Sequence, residues 1–239
     1  MKIYRHLEEL PPDLGHTVLS VGNFDGVHRA HQHVLREMVR RAPELGAHSM
    51  AVTFDPHPVR ILHPDSAPPL ITPLPLKLRL LAATGLDAVL LLPFTRDLSL
   101  LTPRQFAENI LHRALHAREV HEGFNFRFGR QAKGEVKQLT EFGREFGFEV
   151  KVYAEMCIRG HSVSSSRVRE LIAAIGDVSD ARHLLGRAFS IVSTPGRGRG
   201  YGAKYTVPTI NLSRYEELVP RDGVYISRTR VAGECFDSA

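Results

Sequence analysis

The strongest constraint on the fold is an alternation that runs through most of the chain. Short apolar runs at 18–21, 48–54, 87–93 and 148–153 are separated by stretches whose apolar residues fall at helical spacing. The run DAVLLLP at 87–93 is almost continuously apolar, as expected of a strand covered on both faces. A further strand and its exit are expected over 119–128 (EVHEGFNFRF), and a first edge strand around Ile3. Helices are expected from about His31, where Val34, Leu35, Met38 and Val39 share a face, and over 76–83. Others should run from a capping box at Thr102 and Gln105 to about His116, over 134–146, from Ser164 to about Gly176, and over 179–185. Strand and helix in turn, joined by short connections, predict an α/β protein with a parallel sheet and a ligand at the strands' C-terminal ends. One stretch breaks the pattern. Prolines at 56, 58, 64, 68, 69, 73 and 75 predict an irregular loop as far as Leu76.

The first strand runs into a tight turn, Gly22, Asn23, Phe24, Asp25 and Gly26, and His28 and His31 follow at the start of the helix. A helix N-terminus offers free N–H groups and a positive dipole end, which suits phosphate, and an imidazole adds a donor or a charge. This is neither a Walker A loop nor a dinucleotide fingerprint, because the Gly-Lys-Ser/Thr and the glycine spacing are absent. The competing reading is a helix merely capped by histidine. A second candidate anion site is VSSSRVR at 163–169, where hydroxyls, free N–H groups and two arginines meet.

Composition sets the outer limits. The chain has 239 residues, 43% hydrophobic and 24% charged, with a net charge of +5 that permits an anionic partner. No apolar run reaches the length of a membrane helix, the N-terminus lacks the apolar core of a signal peptide, and the two cysteines make no disulfide framework. A cytoplasmic protein is the expectation. Beyond Arg187 the texture changes to β-type, with strands expected at 189–192 and 223–229 around the basic glycine-rich loop PGRGRGYG, so a domain boundary is placed at 186/187.

Six segments in order carry a resemblance: VGNFDGVHRAH at 21–31, TFDPHP at 53–58, GFNFRFG at 123–129, VSSSRVR at 163–169, LGRAFS at 185–190 and PTIN at 208–211. Together they resemble the prokaryotic bifunctional riboflavin kinase/FAD synthetase family of the HxGH nucleotidyltransferase superfamily. The resemblance implies a Rossmann-like nucleotidyltransferase domain over 1–186, and an incomplete riboflavin kinase-like β-barrel over 187–239. The first would transfer AMP from MgATP to FMN, giving FAD and pyrophosphate. It implies that His28 and His31 stabilise the triphosphate, and that Gly22, Asn23, Phe24, Asp25 and Gly26 shape the nucleotide turn. Ser164, Ser165, Ser166 and Arg169 would hold the β,γ-phosphates. Pro56, His57, Pro58 and Asn125 would line the flavin side. Thr209 and Asn211 would bind the Mg²⁺ of the kinase nucleotide.

Two departures qualify it. Ala30 stands where the family usually has glycine, so a methyl group there either crowds the nucleotide or is absorbed by a small shift. After Asn211 the acids Glu216, Glu217, Asp222, Glu234 and Asp237 come too early for the kinase's catalytic glutamate, so no riboflavin phosphorylation is expected. Three other readings compete. One is another HxGH nucleotidyltransferase acting on phosphopantetheine, nicotinamide mononucleotide or glycerol phosphate. Another is a nucleic-acid binder using Arg197, Arg199 and Lys204. The third is a metal hydrolase on His112 and His116. Small-molecule substrates, with no nucleic acid and no membrane, are the expectation; the sequence leaves oligomeric state open.

Overall fold

A computed structural model of the chain describes residues 1–196 and 210–239. Six parallel strands form one sheet: β1 (Lys2–Tyr4), β2 (Thr17–Val21), β3 (His48–Asp55), β4 (Ala88–Pro93), β5 (Ala117–Gly123) and β8 (Glu149–Tyr153), in the order β1-β4-β3-β2-β5-β8. The order reverses between β2 and β5, and crevices at such switch points take ligands. The alternation in the sequence therefore reads correctly as an α/β fold.

Each strand sends neighbouring side chains to opposite faces. In β2, Val18 packs with Leu35 and Met38 of α1 (Arg29–Arg41) and with Leu81 of α3 (Leu74–Ala82). Leu19 joins the other face, with Phe106 of α5 (Pro103–Phe106) and Leu139 of α6 (Val136–Phe146). A third cluster holds Ile71, Val168 of α7 (Ser165–Arg169), Leu184 of α8 (Val178–Leu185), and Leu218 from beyond the expected domain boundary.

Several expectations need correction. The proline-rich stretch contains α2 (Pro58–Leu62) and a 3₁₀ turn (Pro64–Ser66), and α3 opens at Leu74. Their prolines sit in first turns, where no N–H partner is lost. The Thr102 capping box is present, but α5 gives way to a π-helical stretch, Ala107–Ala114. His112 stacks on Phe146 and His116 lies past the helix at φ 48°, so the pair makes no shared α-helical face. A π-helical stretch (Glu170–Ile175) likewise extends α7 before Gly176 caps it.

The stretch 119–128 holds the end of a strand and its exit. β5 ends at Gly123, Phe126 N–H turns back to the Gly123 carbonyl (3.0 Å), and β6 (Arg127–Phe128) pairs with β7 (Gly134–Glu135). That pairing delays α6 to Val136. A second small hairpin, β9 (Cys157–Ile158) with β10 (His161–Ser162), leads into α7.

Past Gly186, residues 189–192 form no ladder. β11 (Pro195–Gly196) pairs with β12 (Asn211–Leu212), and β13 (Ser227–Val231) with β14 (Glu234–Ser238), so the strand expected at 223–229 lies later. Arg197, Arg199, Lys204 and Thr209 lie outside the described residues. No helix among the described residues is long and apolar enough to cross a membrane.

Candidate active site

The crevice at the switch point is built by the turn between β2 and α1. Gly26 takes φ 81°, a conformation open to glycine at little cost, and Phe24 and Val27 are held at φ 46° and 39°. Positive φ at a β-branched residue is costly, so the surroundings must enforce it. Arg187 does part of this, donating to the carbonyls of Gly26 (2.7 Å) and Val27 (3.3 Å). Gln32 also donates to the Val27 carbonyl (2.7 Å). Asp25, only 1% exposed, accepts from the N–H groups of Ile71 and Thr72 (3.0 and 3.1 Å) and from Arg169 Nη2 (2.6 Å). Asp25 therefore faces the protein, tying the turn to α7 and to the segment before α3.

The turn delivers the histidines. His28 is the N-cap of α1, its Nδ1 accepting the His31 N–H (3.4 Å), so its proton sits on Nε2. The two rings stack at 3.6 Å between centroids, 16° apart. Burial lowers the His28 pKa to about 4, against the opposing pull of Asp25. Burial also holds His31 well below its usual value, helped by His28 and Lys77. Both rings are neutral at pH 7. His31 Nδ1 is buried with no hydrogen-bond partner among the described residues, and an orphaned buried nitrogen marks a place where a ligand atom is expected.

The cleft, of about 320 Å³, is lined by Gly22, Phe24, His28, His31, Asn125, Ser164 and Ser165 of the sequence candidates, and also by Ala30. Ser164 caps α7 by accepting the Arg167 N–H (3.2 Å), and Ser165 donates to the Asp25 carbonyl (2.9 Å). The other candidates fall elsewhere. Asn23 is exposed on the turn and Ser166 on α7. Arg169 commits Nε to the Pro69 carbonyl (3.1 Å) and Nη2 to Asp25. Pro56, His57 and Pro58 follow β3, on the far flank of β2, where His57 caps α2 by accepting the Val59 N–H (3.3 Å). Asn211 is exposed on β12.

Sequence reading missed four side chains around the site. Arg187 is one. Lys77, 2% exposed on α3, has its pKa lowered by burial against the pull of Asp25 and Asp55. Glu122 and Tyr153 line the cleft itself. The β2–β5 ladder ends at Leu19 and Val120, and the Val21 N–H donates instead to Glu122 Oε1 (2.6 Å). Burial holds the Glu122 carboxyl well above the usual range, against the bonds from Val21 and Ser20, so it is a neutral acid wedged where the strands part. A signal was visible: AREVHEG puts acids into a strand that should be apolar.

Among the described residues, no group of three His, Cys, Asp or Glu side chains is placed to hold a metal ion. A divalent cation here would be carried by a nucleotide's own phosphates, which is how Mg²⁺ commonly enters such sites.

Comparison with known proteins agrees with this geometry. Residues 10–167 match the family model for FAD synthetase, and residues 185–239 that for riboflavin kinase. The chain is 34% identical to the bifunctional riboflavin kinase/FMN adenylyltransferase of Pseudomonas fluorescens, over 99% of this chain and 75% of that protein. It is 33% identical to the Escherichia coli K12 protein of the same name, over 98% of this chain and 75% of that one. A Streptococcus pneumoniae crystal structure described as a macrolide-efflux protein superposes with a TM-score of 0.84 at 25% identity, covering 98% of this chain and 76% of that one. The match of sequence over nearly the whole chain, with the two family models, shows that it belongs to the bifunctional riboflavin kinase/FMN adenylyltransferase family.

Proposed function

We propose that the switch-point cleft transfers the adenylyl group of ATP to FMN, giving FAD and pyrophosphate. The observation that carries this reading is the stacked His28–His31 pair, with its unpartnered Nδ1, at the N-terminus of α1 and in one cleft with the start of α7. An FMN phosphate oxygen attacks the α-phosphorus and pyrophosphate leaves. The chain's task is positioning and charge neutralisation, with no covalent intermediate needed.

In this reading His28 donates Nε2–H to the triphosphate. His31 uses the orphaned nitrogen, and the anion draws a proton onto the pair. The free N–H groups of α1 and α7 add their dipole ends. The Ser164 hydroxyl hydrogen and Arg169 Nη1 complete the β,γ-phosphate grip. A Mg²⁺ ion would come held by the phosphates and would supply charge neutralisation at the leaving group. Asn125 meets the flavin at the rim, and Pro56, His57 and Pro58 bound the flavin side. Asn23 and Ser166 act through their backbone N–H groups.

We also propose the domain boundary at 186/187. It follows the Gly186 cap of α8, with Arg187 and Leu218 as the anchors that join the riboflavin kinase-like stretch to the first domain.

The test is incubation of the purified chain with FMN, ATP and Mg²⁺, and separation of the flavins by chromatography. FAD is the expected product, and its absence overturns the reading. A parallel tube with riboflavin in place of FMN reports on the kinase stretch.

A further inference from the structure

Strand β5 carries charge where a central strand should be apolar: Glu119 and His121 are 1% and 2% exposed. Buried ionisable groups are costly unless paired, and these are paired in a line. Arg41, the last residue of α1, grips Glu119 through Nε and Nη2 (3.0 and 2.9 Å). Glu119 Oε2 meets His121 Nε2 at 3.0 Å, and His121 Nδ1 meets the Tyr153 hydroxyl at 2.8 Å. Burial works to raise the Glu119 pKa, but the bonds from Arg41 and His121 outweigh it and keep the group ionised. Burial keeps His121 neutral, with Glu119 opposing. The direction of each bond is then set. His121 donates Nε2–H to the carboxylate, and its Nδ1 accepts the Tyr153 O–H.

The line ends at Tyr153, which lines both the reactive cleft and a separate cavity of about 500 Å³ bounded by Glu37, Arg40, Arg41, Glu119, His121 and Lys151. Tyr153 is thus common to the linings of both cavities. The hydroxyl is committed to the network, which leaves the aromatic ring as the part of the side chain that a ligand in the cleft would meet. The ring also makes a T-shaped contact with His33 of α1 (5.5 Å, 89°) and lies tilted beside the His121 ring (5.8 Å, 33°). Nearby in the cleft are Phe124, Phe126, Met156 and Val163. Phe124 is 52% exposed, and its N–H donates to the Tyr153 carbonyl (2.8 Å). The histidines of the cleft suit phosphates, whereas these side chains are aromatic and apolar.

We infer that Tyr153 is a stacking platform for the planar heteroaromatic ring of a substrate, and that Arg41, Glu119 and His121 are positioning residues that lock its plane through the hydroxyl. The inference rests on the adenylyl-transfer reading, which offers two such rings, the purine of ATP and the isoalloxazine of FMN. Aromatic stacking on a base is sequence-tolerant and strong enough to matter for affinity.

The full chain is assayed for FAD formation with KM for each substrate separated from kcat, and for binding of MgATP alone and FMN alone by calorimetry. Tyr153→Leu keeps bulk and removes the ring. It is expected to weaken one ligand about tenfold or more, with kcat within about threefold. A loss confined to MgATP assigns the purine; a loss confined to FMN assigns the isoalloxazine. Tyr153→Phe restores the ring and should recover most of the affinity. His121→Ala, which frees the hydroxyl, should raise the same KM less than Tyr153→Leu does. Both affinities within twofold of the parent in Tyr153→Leu, or a fall in kcat alone, overturns the inference.

Should Tyr153→Leu melt early, tyrosine emission in a chain of six Tyr and no Trp carries the test. Saturating MgATP or FMN should quench the parent more than Tyr153→Phe, by a share beyond removal of one residue's static emission. Equal quenching for both ligands overturns the inference. A parent chain that makes no FAD sinks the functional reading and the inference with it. A parent that makes FAD alongside an indifferent Tyr153→Leu sinks the inference alone.

Discussion

At the level of single residues, the site depends on neutral, buried imidazoles. Removing His31 or His28 as Ala should lower adenylyl transfer by about 10²–10³-fold, the usual cost of losing a transition-state donor, measured as the initial rate of FAD formation. The same burial makes folding pH-dependent. His28 has a folded pKa of about 4 against 6.5 unfolded, so the unfolded chain binds the proton first. Its contribution is fully present above pH 6.5 and is lost as pH falls from 6.5 toward 4, by on the order of 3 kcal/mol. Thermal melts across that window should show the loss, and His28→Asn should flatten it. A saturating triphosphate should oppose the loss, because it favours the protonated rings.

Glu122 gives a contrasting case. Because its carboxyl is already neutral, Glu122→Gln should leave FAD formation within about twofold. Glu122→Ala strands the Val21 N–H and should cost about 1–3 kcal/mol in chemical denaturation. Ala30 lines the cleft, and Ala30→Gly should give an equal or higher rate. A large fall would show that the methyl group packs rather than crowds.

Among the elements, the short helices carry more of the site than their lengths suggest. α7 spans only Ser165–Arg169 before it widens into a π-helical stretch, yet Ser165 and Arg169 both reach back to Asp25 of the turn. Ser164→Ala removes the cap and should cost about 1 kcal/mol of stability, read as a lowered melting temperature. It also removes a proposed phosphate donor, so the KM for ATP should rise as well. Asp25→Ala should cost more, about 3–5 kcal/mol, because it leaves the Arg169 guanidinium half-buried without its carboxylate. The spacing of apolar residues located most helices and strands because burial on one face demands that period. It read 119–128 as a strand and its exit without the β6–β7 hairpin that the exit forms, and it missed α2, whose prolines occupy first turns. It also missed the two π-helical stretches, since a one-residue change of pitch leaves the apolar pattern nearly intact.

For the whole molecule, the riboflavin kinase-like stretch is not detached from the first domain. Leu218, 2% exposed, packs among α7 and α8, and Glu217 accepts from Arg60 (2.9 Å) and from the Leu70 N–H (2.9 Å). Those contacts lie on the segment whose next residues, Ile71 and Thr72, hold Asp25. Leu218→Ala should therefore destabilise the first domain by about 2–5 kcal/mol, seen as one lowered unfolding transition rather than a separate loss of the C-terminal stretch.

The sequence alone determined the α/β alternation, the turn with its two histidines, the capped serine stretch and the family. Each of these is local: a period, a turn residue or a motif within some ten positions. Only the tertiary structure decided which of the candidate groups share the cleft. It turned Asp25 inward, bound Arg169 to it, and left His57 outside the cleft lining but within reach of the charges of Asp25, Lys77 and Arg169. It also brought in Arg187, Glu122 and Tyr153. Those roles depend on strand order and on where two strands part, and a parallel sheet brings together residues about a hundred positions apart, as Val21 and Glu122 are. No local pattern records such a pairing, because its free energy comes from the burial and hydrogen bonds of distant segments.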